Sequence, residues 1–443
     1  MTNLIKAALA ATMLTTLGGC GIFGGGDGPE TTPTVGDRTP ILSRIEAGAQ
    51  VDPSIQNVAV IVPGAQANAD WAQPGGTASN AIGHVALSGS PAQAWSAQVA
   101  GSSTRRRLAS SPVVGGGKLF VVDTTGTVRA FDAASGARVW EKALGLPSEL
   151  NSAAFGGGVS YAGGVAYATD GAGYVLALDA NTGAERWRVK PAGPLRGAPT
   201  IAFNLILVMT QDNQILALNA ATGDTEWSRT APPGQAGVFG VAAPAAGQGT
   251  VIAGFSSGEL AAYRYENGRP LWSDALARTS ISTRVGTLTD VDADPIIDQG
   301  KVYALGQGGR MAAYDLLTGQ RQWELNIAGI SAPAVAGEWV FVLTDEARVI
   351  AIQRETGKVR WISQLQAFRD VEDKDGPIFW TGPVLAGGSL WVASSRGSLT
   401  RVNVADGSFS EFAQLGTSVS LPPVVAGNTL YLLDDDGRIR AWR

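Results

Sequence analysis

The chain has 443 residues and a net charge of −5, with 33 lysines and arginines against 38 aspartates and glutamates. That balance excludes a general nucleic-acid surface, which would need an excess of basic groups. A single cysteine and a single histidine exclude a disulfide framework, a Cys/His metal centre and a haem-attachment C-x-x-C-H motif.

Residues Met1–Cys20 carry one cation, Lys6, then an apolar run from Ala7 to Leu17 and the ending Leu17-Gly18-Gly19-Cys20. The run is too short to span a bilayer and reads as the apolar core of a signal peptide, residues 1–19. Its ending resembles a bacterial lipobox, and the resemblance implies cleavage before Cys20 and acylation of its thiol. Ile22 stands at the second position after the cysteine, where an inner-membrane retention signal would carry Asp. The expected address is therefore the cell outer membrane of a Gram-negative bacterium, lipid-anchored on the periplasmic face.

Residues 20–40, rich in glycine with prolines at 29, 33 and 40, read as a flexible tether. Residues 41–90 form an extension of less definite placement. Within it Asn57–Val62 reads as a strand capped by Pro63-Gly64, and Asp70–Gly76 as a segment packed on the side of a barrel. His84, the one histidine, lies here and reads as a satisfied loop residue.

From Pro112 onward one unit recurs eight times. Aligning Pro112, Val159, Pro199, Pro244, Pro295, Pro333, Pro383 and Pro423 brings Gly126, Gly173, Asn213, Gly258, Gly309, Ala347, Gly397 and Gly437 into one column. Trp140, Trp187, Trp227, Trp272, Trp323 and Trp361 fall into another, where the seventh copy has Glu411. The first tryptophan lies 28 residues after its proline, and all length variation falls between copies. A fixed unit with variable connections marks a repeat architecture.

In the first copy, runs such as Lys118–Asp123 and Thr127–Asp132 are bounded by glycine-rich turns, giving four short strands. The Gly/Asn column marks a turn that needs positive φ, a rule that Ala347 breaks. Tryptophans in the fourth strand are expected to fill the gap between neighbouring sheets. The last copy holds only three strands before Arg443, so Ala92–Val99, with Trp95, is expected to complete it. The predicted fold is all-β: an eight-bladed β-propeller over residues 91–443, of four-stranded antiparallel blades, with the N-terminal strand closing the last one.

The copies Asp132–Trp140, Asp179–Trp187 and Asp315–Trp323 resemble PQQ-type propeller repeats. That resemblance first suggests a PQQ-dependent quinoprotein dehydrogenase. Such enzymes carry an adjacent cysteine pair over the quinone, and this chain has no such pair, so neither catalysis nor a cofactor is expected. The acidic runs Asp290–Asp294 and Asp370–Asp375 lack the glycine and distant Glu of a calcium loop, and no metal is expected either. Asp434–Asp436 reads as a solvated turn.

A lipid-anchored, cysteine-poor propeller of this kind resembles the BamB family of the outer-membrane β-barrel assembly machinery. The resemblance implies a scaffold that binds the periplasmic POTRA domains of the insertase, alongside other machinery subunits, and assists the folding of outer-membrane proteins. Unfolded outer-membrane proteins are a further candidate partner. Leu288-Thr-Asp-Val-Asp-Ala-Asp-Pro295 resembles the family's stretch before the fifth blade, which implies that Asp290 and Asp292 contact the partner. The alternative for these two carboxylates is to hold their own loop through Arg284 or a backbone N–H. The family's second contact, Leu-x-Leu-Arg-Gly ahead of a proline, is expected before the fourth blade, where Ala236–Gly240 precedes Pro244 and Phe239 takes the arginine's place. The variable connections run from 10 residues between Trp323 and Pro333 to 23 between Trp272 and Pro295. They share one end of the blades with the turns between strands two and three, so that end is the expected partner face. Arg105-Arg106-Arg107 lies there too and reads as a solvated run.

Overall fold

The computed structural model describes residues 48–145, 156–232, 241–276 and 290–443. Cys20, the signal segment and the tether lie outside these residues, as do Phe239 and Arg284. The described chain is eight four-stranded antiparallel sheets in succession, numbered here as blades 1 to 8. Blade 1 consists of Val113–Gly115, Lys118–Val122, Thr127–Asp132 and Arg138–Ala143. Its innermost strand has three residues, as have those of blades 3, 4, 5, 6 and 8. Blade 8 ends with Arg438–Trp442, and Gln93–Gln98 pairs beside it as the fourth strand, with Trp95 opposite Ala441. The ring is thus closed by the strand that the truncated last copy required.

The tryptophan column works between blades. Trp140 donates from Nε1 to the carbonyl of Ala180 in blade 2 at 3.0 Å, and Trp361 donates to Val404 in blade 7 at 3.0 Å. Each ring lies on the glycine of the next blade's turn between strands three and four. A Cβ on Gly183 would stand 2.7 Å from Trp140, and one on Gly136 2.5 Å from Trp95. Glu411 now has a physical reason. Blade 8 takes its fourth strand from the N-terminus, so it has no such turn, and a tryptophan at 411 would have nothing to cover.

The Gly/Asn column has positive φ throughout, including Ala347 at 58°. The connection leaving each fourth strand returns onto this turn: Leu144 N–H donates to Gly126, Leu276 to Gly258 and Leu365 to Ala347, each at 2.8 Å. Variable connections and column turns therefore share one mouth of the central channel, the loop mouth. At the other, the turn mouth, lie the turns between strands one and two.

Residues 63–90 cross the turn mouth, whereas residues 51–58 lie on the outer strand of blade 6, where Asp52 N–H donates to Val359 O at 2.9 Å, and two expectations for the extension are corrected. Asn57–Val62 forms no strand. Asp70–Gly76 packs across the channel opening and not on the outer side of the barrel: Trp71 exchanges backbone bonds with Val114 at 2.8 Å each way, and Ala72 accepts from Tyr161 at 2.7 Å. Trp71, Val85 and Leu87 enter the apolar core shared by blades 1, 7 and 8. His84 contacts the Pro63 carbonyl through Nδ1 at 2.7 Å and accepts from Gly388 N–H on Nε2 at 2.8 Å, so both ring nitrogens are used.

Candidate functional site at the loop mouth

Among the described residues, a dense cluster of buried charge lies at the loop mouth, where the connections ahead of blades 3, 4 and 5 converge. Ahead of blade 3, Arg196 N–H donates to Met209 and its carbonyl accepts from Gly157, both at 2.8 Å. These bonds fix the backbone and aim the side chain across blade 4. There its Nη2 reaches Asp290 Oδ1 at 3.0 Å and Asp292 Oδ1 at 2.8 Å. The Asp290 carbonyl accepts from Gln307 at 2.9 Å, and Val291 donates to Phe255 at 3.2 Å. Asp294, two residues on, accepts from Ala243 N–H of the blade 4 connection at 2.7 Å. One arginine and three carboxylates thus tie three successive connections together.

Next to this clamp the main chain leaves no room for side chains. A Cβ on Gly197 would lie 2.0 Å from the Val241 carbonyl, and one on Gly254 2.5 Å from Val291. Gly197 lets the arginine segment pass under blade 4's connection.

Asp290 and Asp292 are brought together as the sequence implies, but they do not project outward. The side chains of Arg196 and Asp290 are each 1% exposed and that of Asp292 is 9% exposed. A carboxylate taken out of water needs a counter-charge, and Arg196 supplies it from inside the fold. One guanidinium serves two adjacent acids, which works against both being ionised at once. Burial first, and then the adjacent Asp290 carboxylate, raise the Asp292 carboxyl above its ordinary range despite Arg196. Burial also raises Asp294, to about 6, against the opposing bond from Ala243 and the field of Arg196.

Sequence reasoning missed Arg196. The expected arginine segment was sought before the fourth blade, at Phe239. Ahead of the third blade the chain reads Leu195-Arg196-Gly197-Ala198-Pro199. A Leu-Arg-Gly run just before a blade-heading proline is the signal in the sequence, one blade earlier than the Phe239 segment.

Other acidic positions resolve into structural roles. Asp434, expected in a solvated turn, is fully buried, accepts from Arg438 N–H at 2.9 Å and pairs with Arg440. Asp370 and Asp375 face each other in a small hairpin, Phe368–Asp370 with Asp375–Pro377, in the connection between blades 6 and 7. Among the described residues no group of three or more His, Cys, Asp or Glu side chains is placed to hold a metal ion.

The ring and its repeat define a class: eight-bladed propellers built from PQQ-type repeats. The family model described as outer membrane protein assembly factor BamB matches residues 81–154 and 124–363, and the chain belongs to that family. The assembly factor BamB of Yersinia pestis is 28% identical over 358 residues, covering 80% of this chain and 89% of the relative. That of Escherichia coli K12 is 28% identical over 353 residues, 79% of this chain and 88% of the relative. The crystal structure of BamB from Moraxella catarrhalis superposes with a TM-score of 0.67 at 22% identity, over 80% of this chain and 99% of that one. A europium-containing methanol dehydrogenase has the same ring, with a TM-score of 0.66 at 15% identity over 82% and 89%. A quinone does not fit the residues present here. The chain's one cysteine is Cys20, and Asp290, Asp292 and Asp294 are engaged by Arg196 and Ala243.

Proposed function

We propose that this chain is a non-enzymatic, lipid-anchored scaffold of the outer-membrane β-barrel assembly machinery, and that its loop mouth receives the periplasmic POTRA domains of the insertase. Membership of the assembly-factor family supports the machinery. The clamp of Arg196 on Asp290 and Asp292 is the observation that carries the binding site. It fixes three connections at the mouth where loop length varies, and so sets the shape a partner would meet there. In this reading the two aspartates act mainly by shaping the mouth, with the partly exposed edge of Asp292 as the point of contact. Anchoring through Cys20 would hold the ring at the periplasmic face of the outer membrane.

The test is co-purification of the insertase from detergent-solubilised outer membranes. Replacing the clamp as a unit, Arg196→Met with Asp290→Asn and Asp292→Asn, removes both acids together with the guanidinium they share, and Asp294 keeps its bond from Ala243 N–H. Binding is expected to fall at least tenfold while the melting temperature of the ring stays within a few degrees. Unchanged co-purification by this variant would sink the assignment. Cys20→Ser, with the clamp intact, is expected to release the protein from the membrane fraction.

A further inference from the structure

The innermost strand of a blade has a neighbour on one side only. Every second residue of it therefore sends its N–H and C=O into the channel, where they need a partner. In this ring the residue concerned stands two places after each blade head, and in seven of eight blades the extension bonds to it. Asn68 O accepts from Gly427 at 2.7 Å while its side-chain amide donates to Val425 O of blade 8 at 2.7 Å. Trp71 pairs with Val114 of blade 1, and Ala72 O accepts from Tyr161 of blade 2. The Gln73 side chain accepts from Ile201 N–H of blade 3 at 2.8 Å and donates back to its carbonyl at 3.3 Å. Ala78 O accepts from Ala246 of blade 4 at 2.6 Å, and Ser79 O from Ile297 of blade 5 at 2.9 Å. Val85 N–H donates to Leu385 O of blade 7 at 3.2 Å. The innermost strand of blade 6 is met by packing alone, its Gly337 lying against the Pro63 ring, while the extension bonds this blade at its outer strand, Asp52 N–H donating to Val359 O at 2.9 Å.

The contacts from Asn68 to Ser79 follow the ring in order, from blade 8 through blades 1 to 5. The loop then folds back through Gln66, which donates to His84 O and accepts from Ala86 N–H, both at 2.8 Å. Most of these bonds are backbone to backbone, with apolar anchors only at a few points such as Trp71 and Val85. Each contact is one rung of the kind that holds a peptide on a sheet edge, where main-chain bonds give affinity and a few pockets give selectivity. The match to the family model begins at residue 81, after most of this segment.

We propose that the ring of innermost strand edges is a binding site for an extended peptide, and that residues 63–87 occupy it as an intramolecular ligand that closes it to other extended segments. The inference is independent of the partner assigned to the loop mouth. A protease site inserted at Gly89, in an exposed stretch, severs the ligand from the ring while the full chain is retained. The severed segment is expected to co-elute with the ring. A labelled peptide of residues 63–87 is expected to exchange into the cut protein at least a hundredfold better than into the uncut one. Departure of the segment from a ring that keeps its melting temperature, or no exchange at any excess of peptide, would overturn the proposal. A second variant avoids the cut: Trp71→Ala with Val85→Pro in the uncut chain. Amide exchange at Val114, Tyr161, Ala246 and Ile297 is expected to rise more than tenfold, and an unrelated alternating apolar-polar strand peptide is expected to bind. Unchanged protection at those four amides, or failure of the unrelated peptide to bind, would equally overturn it.

Discussion

The two mouths of the channel close by opposite chemistry. At the turn mouth one continuous segment supplies neutral backbone bonds and apolar anchors to nearly every blade, so its hold is spread over many weak contacts. At the loop mouth three separate connections converge on a few buried charges, so the hold is concentrated in Arg196 and its carboxylates. A spread hold tolerates the loss of any one residue. A concentrated one fails when its central charge goes, because a buried carboxylate without a counter-charge is costly. The loop mouth is accordingly the end whose shape one substitution can change.

Removal of that central charge should have the largest effect. Arg196→Ala leaves Asp290 and Asp292 buried without their guanidinium, and breaking a buried pair from one side costs about 3–5 kcal/mol. The expected result is a large fall in melting temperature, partly recovered when both aspartates are changed to asparagine in the same chain. Arginines at 290 and 292 would face Arg196 and should destabilise the ring as well as abolish binding. A melt of Arg196→Ala close to wild type would contradict the concentrated hold.

At the opposite mouth Trp71→Ala should cost about 3 kcal/mol, the lower end for a buried tryptophan, since its backbone bonds to Val114 survive the truncation. Gln73→Ala should cost about 1 kcal/mol, the usual value for a hydrogen-bonding side chain. If either change unfolded the protein outright, the contacts of the extension would be a single cooperative lock and not a spread hold. Urea melts of the two variants would separate these cases.

The repeat frame was legible in the sequence because each unit must bury the same faces: turn glycines, a tryptophan column and a missing strand suffice to give eight blades closed by Gln93–Gln98. The extension was not legible, since it pairs one or two residues at a time with many blades and so shows no period of 2 or 3.6. At the site, Asp290 and Asp292 were readable as a pair, while their burial depended on Arg196, some ninety residues earlier. Ion pairs across that separation leave no local pattern. Glu411 could be seen to deviate, but its reason lay in the absence of a turn from the following blade.

The pH dependence of the loop mouth sharpens the contrast, because the turn mouth has no comparable buried acid cluster among the described residues. Asp294 has a folded-state pKa near 6, above an unfolded value of roughly 3.9. A raised carboxyl binds its proton more tightly in the folded state, so its contribution is present in full below about pH 4 and is lost as pH rises through 6. Asp294→Asn keeps an acceptor for Ala243 N–H and removes the titration. The stability of the variant relative to wild type should therefore increase by about 2–3 kcal/mol between pH 4 and pH 8. A flat difference across that range would mean that Asp294 stays ionised throughout.

The smallest effect concerns the turns that rim the loop mouth. All eight need positive φ at the column position, and blade 6 meets the need with Ala347 at 58°. The left-handed region costs a residue with a Cβ about 1 kcal/mol or more, a cost that Ala347→Gly would relieve. Two terms oppose the gain: glycine adds about 0.4–1 kcal/mol of unfolded-chain entropy, and the lost methyl is part of the core between blades 6 and 7. The net change should lie within about 1 kcal/mol of zero. Gly437→Ala in the same column is the control, since its new Cβ would stand 2.4 Å from the Val99 carbonyl. If Ala347→Gly stabilised the ring by more than about 2 kcal/mol, the backbone strain at that turn would exceed the ordinary left-handed penalty. Equilibrium unfolding of the two variants side by side makes the measurement.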